Sequence, residues 1–204
     1  MDLWPLLLLA LIGLHLLNRK DQRRRTARLA AQLQPWQIER LMQRLVQGYQ
    51  TALSQPGPEA QAEAFRALEL TEQQLAQEFS QVAASMGRMP VQDARTLKWA
   101  LPGLEKFIPQ ISFDTRRVMQ VHAEGIARVV ANAQGLSAKD KAYRLLAEIL
   151  LMQHSCHWYC RSRTIASARL LAQHQTRYEQ ALDGVSPETR QAYLAVNRGP
   201  AVGA

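Results

Sequence analysis

The chain has 204 residues, 47% of them hydrophobic, which is enough to bury the core of one packed domain with attachments. This composition excludes a disordered chain, a collagen and a multi-pass transporter. The chain has two cysteines, Cys156 and Cys160, so a disulfide-rich secreted scaffold is excluded as well.

The net charge of +8 is concentrated in one short segment. Six basic residues lie between positions 19 and 28, where Asp21 is the one acidic residue: Arg19, Lys20, Arg23, Arg24, Arg25 and Arg28. A local excess of this kind indicates a local partner for the patch, not a basic nucleic-acid-binding domain as a whole.

The first eighteen residues predict a single transmembrane helix. From Leu3 to Leu17 the one polar side chain is His15, and no charge occurs between Asp2 and Arg19. Such a helix would be about 27 Å long, close to the ~30 Å of a hydrocarbon core, with Trp4 at one interface and the basic run at the other. The alternatives are a buried core helix and a cleaved signal peptide, and a signal peptide would carry its basic residues before the apolar run.

The basic run then fixes the expected topology. Positive residues stay on the cytoplasmic side of a span, so we expect the N-terminus outside and residues 19–204 in the cytoplasm. The run would lie beside anionic lipid head groups, with a specific phospholipid or nucleic-acid site as the alternative. The expected divisions are a transmembrane anchor (1–18), a basic juxtamembrane helix (19–34), a helical bundle domain (35–196) and a flexible tail (197–204).

The remaining chain predicts an all-α fold, because no segment alternates with period two for long enough to form a strand. A helix is expected over about 35–53, with one apolar stripe formed by Ile38, Leu41, Leu45, Tyr49 and Ala52. The prolines and glycine of 54–59 separate it from a third helix over about 59–86.

The third helix carries a heptad seam, in which seven positions recur at alternating three- and four-residue steps. Six of the seven are apolar: Phe65, Leu68, Leu75, Phe79, Val82 and Met86. The seam predicts either a helical hairpin within the chain or an interaction surface in an oligomeric coiled coil. The seventh position is Glu72, and an unpaired charge there disfavours a long continuous zipper, so we favour the hairpin.

The second half predicts a connector, two main helices and a short last one. The connector, 87–113, contains Trp99 and Phe107, which would pack on the bundle or contact a membrane or a partner. A helix over about 113–133, capped by Ser112 or Asp114, is followed by one long helix over about 137–183 that can bend near 155–162. A last helix is expected to begin at Ser186–Pro187.

One cluster combines the side-chain types that bind metals: His154, Cys156, His157 and Cys160. On a helix the last three fall on one face, and His154 lies beyond His157. Thiolates and imidazoles on one face could begin a zinc or copper site or hold haem iron, with His122 or His174 as a further ligand. The spacing matches no standard zinc finger and no haem-attachment sequence. Core packing is the favoured interpretation, and redox sensing is a further alternative.

Four arginines make the segment after the cluster basic: Arg161, Arg163, Arg169 and Arg177. Near Trp158 and Tyr159 they could contact RNA, but no nucleic-acid-binding module accompanies them, and a solvated helix face is favoured. Phosphate-binding loops, dinucleotide fingerprints, zinc-protease and nucleophile-elbow motifs and calcium loops are absent from the sequence. We therefore expect no enzyme and no cofactor.

The expected function is that of a membrane-anchored scaffold, assembly or docking component acting through helix-mediated protein interaction. The expected partners are the lipid bilayer and other membrane or membrane-associated proteins, with a second copy of the chain as a further option and nucleic acid disfavoured. The alternatives are a metal-binding, haem-binding or redox-responsive membrane protein that uses the His154–Cys160 cluster, and membrane-tethered nucleic-acid binding.

Overall fold

The computed structural model describes residues 4–97 and 112–198, and this part of the chain is predominantly helical, as predicted. Its helices are α1 (Trp4–Leu33), α2 (Ile38–Ser54), α3 (Pro58–Arg66), α4 (Glu69–Gly87), α5 (Val91–Ala94), α6 (Thr115–Ala131), α7 (Ala138–Cys160), α8 (Arg163–His174), α9 (Tyr178–Gly184) and α10 (Pro187–Arg198). Two short strands, β1 (Arg95–Leu97) and β2 (Ser112–Asp114), pair antiparallel with Thr96 opposite Phe113.

The prediction of a transmembrane helix is wrong. Within the described ranges, no helix is both long enough and apolar enough to cross a membrane. The apolar part of α1 runs from Trp4 to Leu17 and measures about 21 Å at ~1.5 Å per residue, well short of a hydrocarbon core. The same helix continues through the basic run to Leu33, so the expected boundary at residue 18 falls inside one helix. The predicted single-pass topology, with a cytoplasmic domain, is therefore wrong as well.

The core is built around α6, which packs against both α4 and α7. α4 packs against α2 and α6, and α7 contacts α1, α6, α8 and α9. The predicted stripe of α2 is buried, which confirms it. Gly125 lets side chains of α10 and α7 lie close to α6, because a Cβ atom there would clash with Oγ1 of Thr189 and would lie 2.6 Å from Oε2 of Glu148. Side chains that are fully or almost fully buried at this centre include Tyr49, Leu75, Phe79, Ile126, Leu145 and Ile149.

Two of the expected helices are interrupted. The helix expected over 59–86 is divided into α3 and α4 at Ala67–Leu68. The helix expected over 137–183 is three helices, and its first break, at Arg161–Ser162, lies in the segment where a bend was expected. Ser162 caps α8 by accepting a hydrogen bond from the Ile165 amide. Gln175, at a φ of 51°, ends α8 in the left-handed conformation.

The predicted caps of the second half match the structure. Asp114 accepts a 3.0 Å hydrogen bond from the Arg116 amide at the start of α6. Ser137 caps α7, and Pro187 is the first residue of α10, as expected. The connector holds α5 and the two strands, while its aromatics Trp99 and Phe107 and the tail from 199 onward lie outside the described residues.

Candidate functional site

The first half of α1 is an exposed apolar surface. Ten of its large apolar side chains are between 46% and 79% exposed: Trp4, Leu6, Leu7, Leu8, Leu9, Leu11, Ile12, Leu14, Leu16 and Leu17. We call the stretch from Trp4 to Leu17 the docking segment. Single exposed apolar residues are normal on protein surfaces, but a continuous patch of this size marks an interaction site.

The basic residues that were expected to face lipid have different environments. Arg19, Lys20, Arg23 and Arg24 are exposed, whereas Arg28 is half-buried and Arg25 is buried. As a group they therefore do not form one solvent-facing patch. The division follows from helical periodicity, because the side of α1 that carries Arg25 and Leu29 lies against the bundle.

Arg25 attaches the second half of α1 to the bundle. Its Nε donates to Oδ2 of Asp21 at 2.6 Å, and its Nη1 donates to the carbonyl oxygen of Arg95 at 2.7 Å. Its guanidinium also lies 5.6 Å from the ring centre of Tyr159. One turn further on, Arg28 pairs with Asp93 at 2.8 Å. The bundle therefore holds the second half of α1, and the docking segment extends from it.

Replacing Arg25 with methionine should lower the free energy of unfolding by about 1.5–3 kcal/mol, because charge-assisted hydrogen bonds to two partners are lost together. Amide hydrogen exchange in the second half of α1 should accelerate as well. Arg23→Met is the matched control, because Arg23 is exposed on the same helix. Its effect should stay within about 0.5 kcal/mol. Equal effects of the two substitutions would contradict the role given to Arg25.

The predicted heptad seam is buried within the chain. All six apolar seam residues are less than 9% exposed, and α4 packs against α2 and α6. Glu72, the charged position on the seam, accepts a 2.6 Å hydrogen bond from the Tyr49 hydroxyl and forms a 2.5 Å ion pair with Lys141. The seam therefore stabilises the fold and does not present an interaction surface.

The structure separates the His154–Cys160 cluster into two environments. His154 lies in the core, where its Nε2 is 3.0 Å from Oγ of Ser167 and its ring is 4.6 Å from that of Tyr178. Cys156, His157 and Cys160 instead line a groove of about 590 Å³ between α1, α2, α7 and α8. His174, from α8, lines the same groove.

The groove keeps its thiols protonated and its imidazoles neutral. Burial raises the pKa of Cys156 to about 12, and it also raises the pKa of Cys160. Burial lowers the pKa of His157, and the neighbouring Arg169 and His174 lower it further. Protonated thiols are poor nucleophiles and poor metal ligands, so these environments do not favour redox sensing.

The geometry does not assemble a metal centre from the predicted ligands. Among residues 4–97 and 112–198, no three His, Cys, Asp or Glu side chains are placed to hold a metal ion together. His122, the other candidate ligand, is engaged elsewhere, because its Nε2 lies 2.8 Å from Oγ of Ser155. The described geometry therefore gives no support to zinc or copper at this cluster.

The arginines that follow the cluster have separate contacts. The guanidinium of Arg163 lies over the rings of Trp158 and Tyr178, at 5.6 and 4.9 Å from their centres. Arg161 donates a 2.6 Å hydrogen bond to Gln22 of α1. The two aromatics expected to stack on bases are thus covered by arginines of the chain, Trp158 by Arg163 and Tyr159 by Arg25.

Sequence reasoning missed the groove because four helices form it. A local signal existed in α2, where Met42 and Val46 follow Ile38 at four-residue steps beside the predicted stripe. Two adjacent apolar rows on one helix indicate two packing surfaces, and the second row lines the groove. Comparisons with protein-family models, with curated proteins and with solved structures found no match for the chain.

Proposed function

We propose that the protein is an assembly or docking component that binds proteins through the docking segment of α1. The observation that carries the proposal is the exposure of ten large apolar side chains on one continuous helix. A helix that is apolar on all sides is normally buried. An exposed helix of this kind therefore favours a binding partner that buries it.

The attachment of α1 to the bundle supports this role. Arg25 and Arg28 fix the second half of the helix, so the docking segment is presented in one direction. A preformed helix loses less conformational freedom on binding than a segment that must first fold. Helix-in-groove association, in which an apolar helix face lies in an apolar groove, is the mode that fits this presentation.

The other exposed apolar residues do not offer a comparable surface. Leu70, Val91, Tyr143, Ile165 and Leu171 are exposed singly and are spread over four helices. Isolated residues of this kind need no partner. The proposed role is therefore binding through the docking segment.

Site-specific photo-cross-linking in cells tests the proposal. With p-benzoylphenylalanine in place of Leu9, irradiation should give discrete adducts of defined mass, because Leu9 lies in the middle of the docking segment. The same probe at Leu70, which is 79% exposed on α4, is the matched control and should give none. Equal yields from the two positions, or no adduct from Leu9, would contradict the proposal.

A charged substitution gives a second readout. Leu16→Glu in the chain that carries the Leu9 probe should reduce the adduct yield by at least about tenfold, because a carboxylate in an apolar interface costs more than about 1.4 kcal/mol. Leu16 is exposed in the free chain. The free energy of unfolding should therefore change by no more than about 0.5 kcal/mol, which separates loss of binding from loss of folding.

A further inference from the structure

The groove beside α1 combines apolar and polar residues, with Glu39, Gln43 and Gln47 of α2 among the polar ones. Its apolar lining comes from α1, α2 and α7: Leu29, Leu33, Ile38, Met42, Val46 and Met152. The side formed by α8 is polar, with Arg169, Gln173 and His174. A lining that combines apolar and polar residues is typical of a protein-interaction surface.

The docking segment and the groove share one face of the same helix. Eighteen residues make about five full turns of an α-helix. Leu8, Leu11 and Ile12 therefore lie on the same face as residues eighteen positions later, Thr26, Leu29 and Ala30, which line the groove. Both surfaces are present on every copy of the chain, and both lie on the same side of α1.

A chain cannot place its own docking segment in its own groove. α1 is one helix of thirty residues, about 45 Å long at ~1.5 Å per residue, and the groove lies beside its second half. The docking segment lies further along the same helix axis, so it cannot fold back onto the groove. A second copy, turned end to end, brings its docking segment to this groove.

We propose that two copies of the chain associate through antiparallel α1 helices, each docking segment lying in the groove of the other copy. In this register Leu11 of each copy lies opposite Ala30 of the other, and Ile12 lies opposite Leu29. The small side chain of Ala30 leaves room for leucine. The contact is isologous, so it closes at two copies and covers both surfaces at once.

The register has an electrostatic consequence. The two-fold axis falls near residues 20 and 21, so the exposed Arg19 and Arg23 of the two copies lie near one another across it. Like charges on the surface repel, and salt screens them over about 8–10 Å at physiological concentrations. Association should therefore become tighter, not weaker, as salt is raised.

This inference rests on the proposed function and names a second copy of the chain as the partner. It is tested by cross-linking of the purified full-length chain. In a Cys156→Ser, Cys160→Ser background, the pair Leu11→Cys and Ala30→Cys should be linked between chains by a short bismaleimide. In the matched control the second cysteine replaces Ala31 and Ala30 is kept. Ala31 is exposed and lies about 100° further around α1, so this pair should give much less covalent dimer. Within one chain the two cysteines lie about 28 Å apart along the helix, too far for the reagent.

The oligomeric state of the wild-type chain provides a second test, which needs no cysteine substitution. Sedimentation equilibrium should show a monomer–dimer equilibrium that shifts to dimer at higher salt. Leu11→Glu should raise the dissociation constant of the dimer at least about tenfold. A monomer under all these conditions, or equal cross-linking at Ala30 and Ala31, would overturn the inference. If the chain is monomeric while the Leu9 probe captures a different protein in cells, the inference fails and the proposed function stands.

Discussion

Replacing Lys141 with methionine is expected to lower the free energy of unfolding by about 3–5 kcal/mol, the usual cost of breaking a buried ion pair by removing one partner. The Lys141 Nζ lies 2.5 Å from Oε2 of Glu72, and the two side chains are 14% and 5% exposed. Without the lysine, a carboxylate that water can hardly reach would lose its counter-ion, and its Oε2 has no hydrogen-bond donor among the described residues.

Tyr49 cannot replace the lost lysine. Its hydroxyl already donates to Oε1 of Glu72 at 2.6 Å. Burial, and after it the carboxylate itself, raises the pKa of Tyr49, so the phenol stays protonated and can donate only this one hydrogen bond. The remaining charge must therefore be neutralised or exposed, and both cost stability.

Two further variants measure the contribution of the pair. Lys141→Met with Glu72→Gln should be at least about 1 kcal/mol more stable than Lys141→Met alone, because the amide keeps the Tyr49 hydrogen bond without the charge. Arg190→Met is the matched control, since its pair with Asp183 spans 3.0 Å with side chains 52% and 64% exposed. Its effect should stay below about 1 kcal/mol. Urea unfolding of the four chains makes the comparison, and similar losses for Lys141 and Arg190 would contradict the prediction.

Local sequence patterns were sufficient to predict most of the helices, because the residues that start, end or amphipathically pattern a helix lie close together in the chain. The stripe of α2, the cap of α6 by Asp114 and the start of α10 at Pro187 all depend on adjacent chain. The breaks at Ala67–Leu68 and Gln175 were missed, because neither proline nor glycine marks them. At those positions tertiary packing, not local propensity, decides where a helix ends.

The environment of single side chains was predicted less well than the helices. Glu72 was expected to be costly on its seam, but its partner Lys141 is 69 positions away in sequence. Arg25 looked like any other member of the basic run, although Asp21, one helical turn earlier, was a local sign that it is held in place. The groove, which joins Cys156 and His174 to α1 and α2, depends on packing that no single segment encodes.

Two buried histidines should make the fold sensitive to acid. Oγ of Ser155 donates to the carbonyl oxygen of Leu151 at 3.0 Å, so Nε2 of His122 must be the donor to that hydroxyl. A second proton would go to Nδ1, which has no hydrogen-bond partner among the described residues. Nδ1 of His154 is likewise without a partner in the described part of the chain.

The pKa values set the range in which stability is lost. Burial, with His154 nearby, lowers the pKa of His122 to about 3, and burial, with Arg163 and His157 nearby, lowers the pKa of His154 to about 4. In the unfolded chain both titrate near 6.5. Below that pH the unfolded state binds more protons than the folded state, so stability decreases as the pH falls from about 6.5 toward those values, by up to about 1.4 kcal/mol per pH unit for each histidine.

A variant separates this effect from that of Glu148, which acts in the opposite direction. Burial raises the pKa of Glu148 despite its hydrogen bonds from Ser186, so this carboxyl adds stability on the acid side and loses it as the pH rises through its folded-state pKa. The free energy of unfolding is measured with urea between pH 7 and about 4.5. His122→Phe should remove about half of the pH dependence that the two histidines cause, because a phenyl ring fills the core without a titrating nitrogen. If the free energy of unfolding depends on pH in the same way for His122→Phe and the wild type, the buried neutral histidines do not cause the loss of stability in acid.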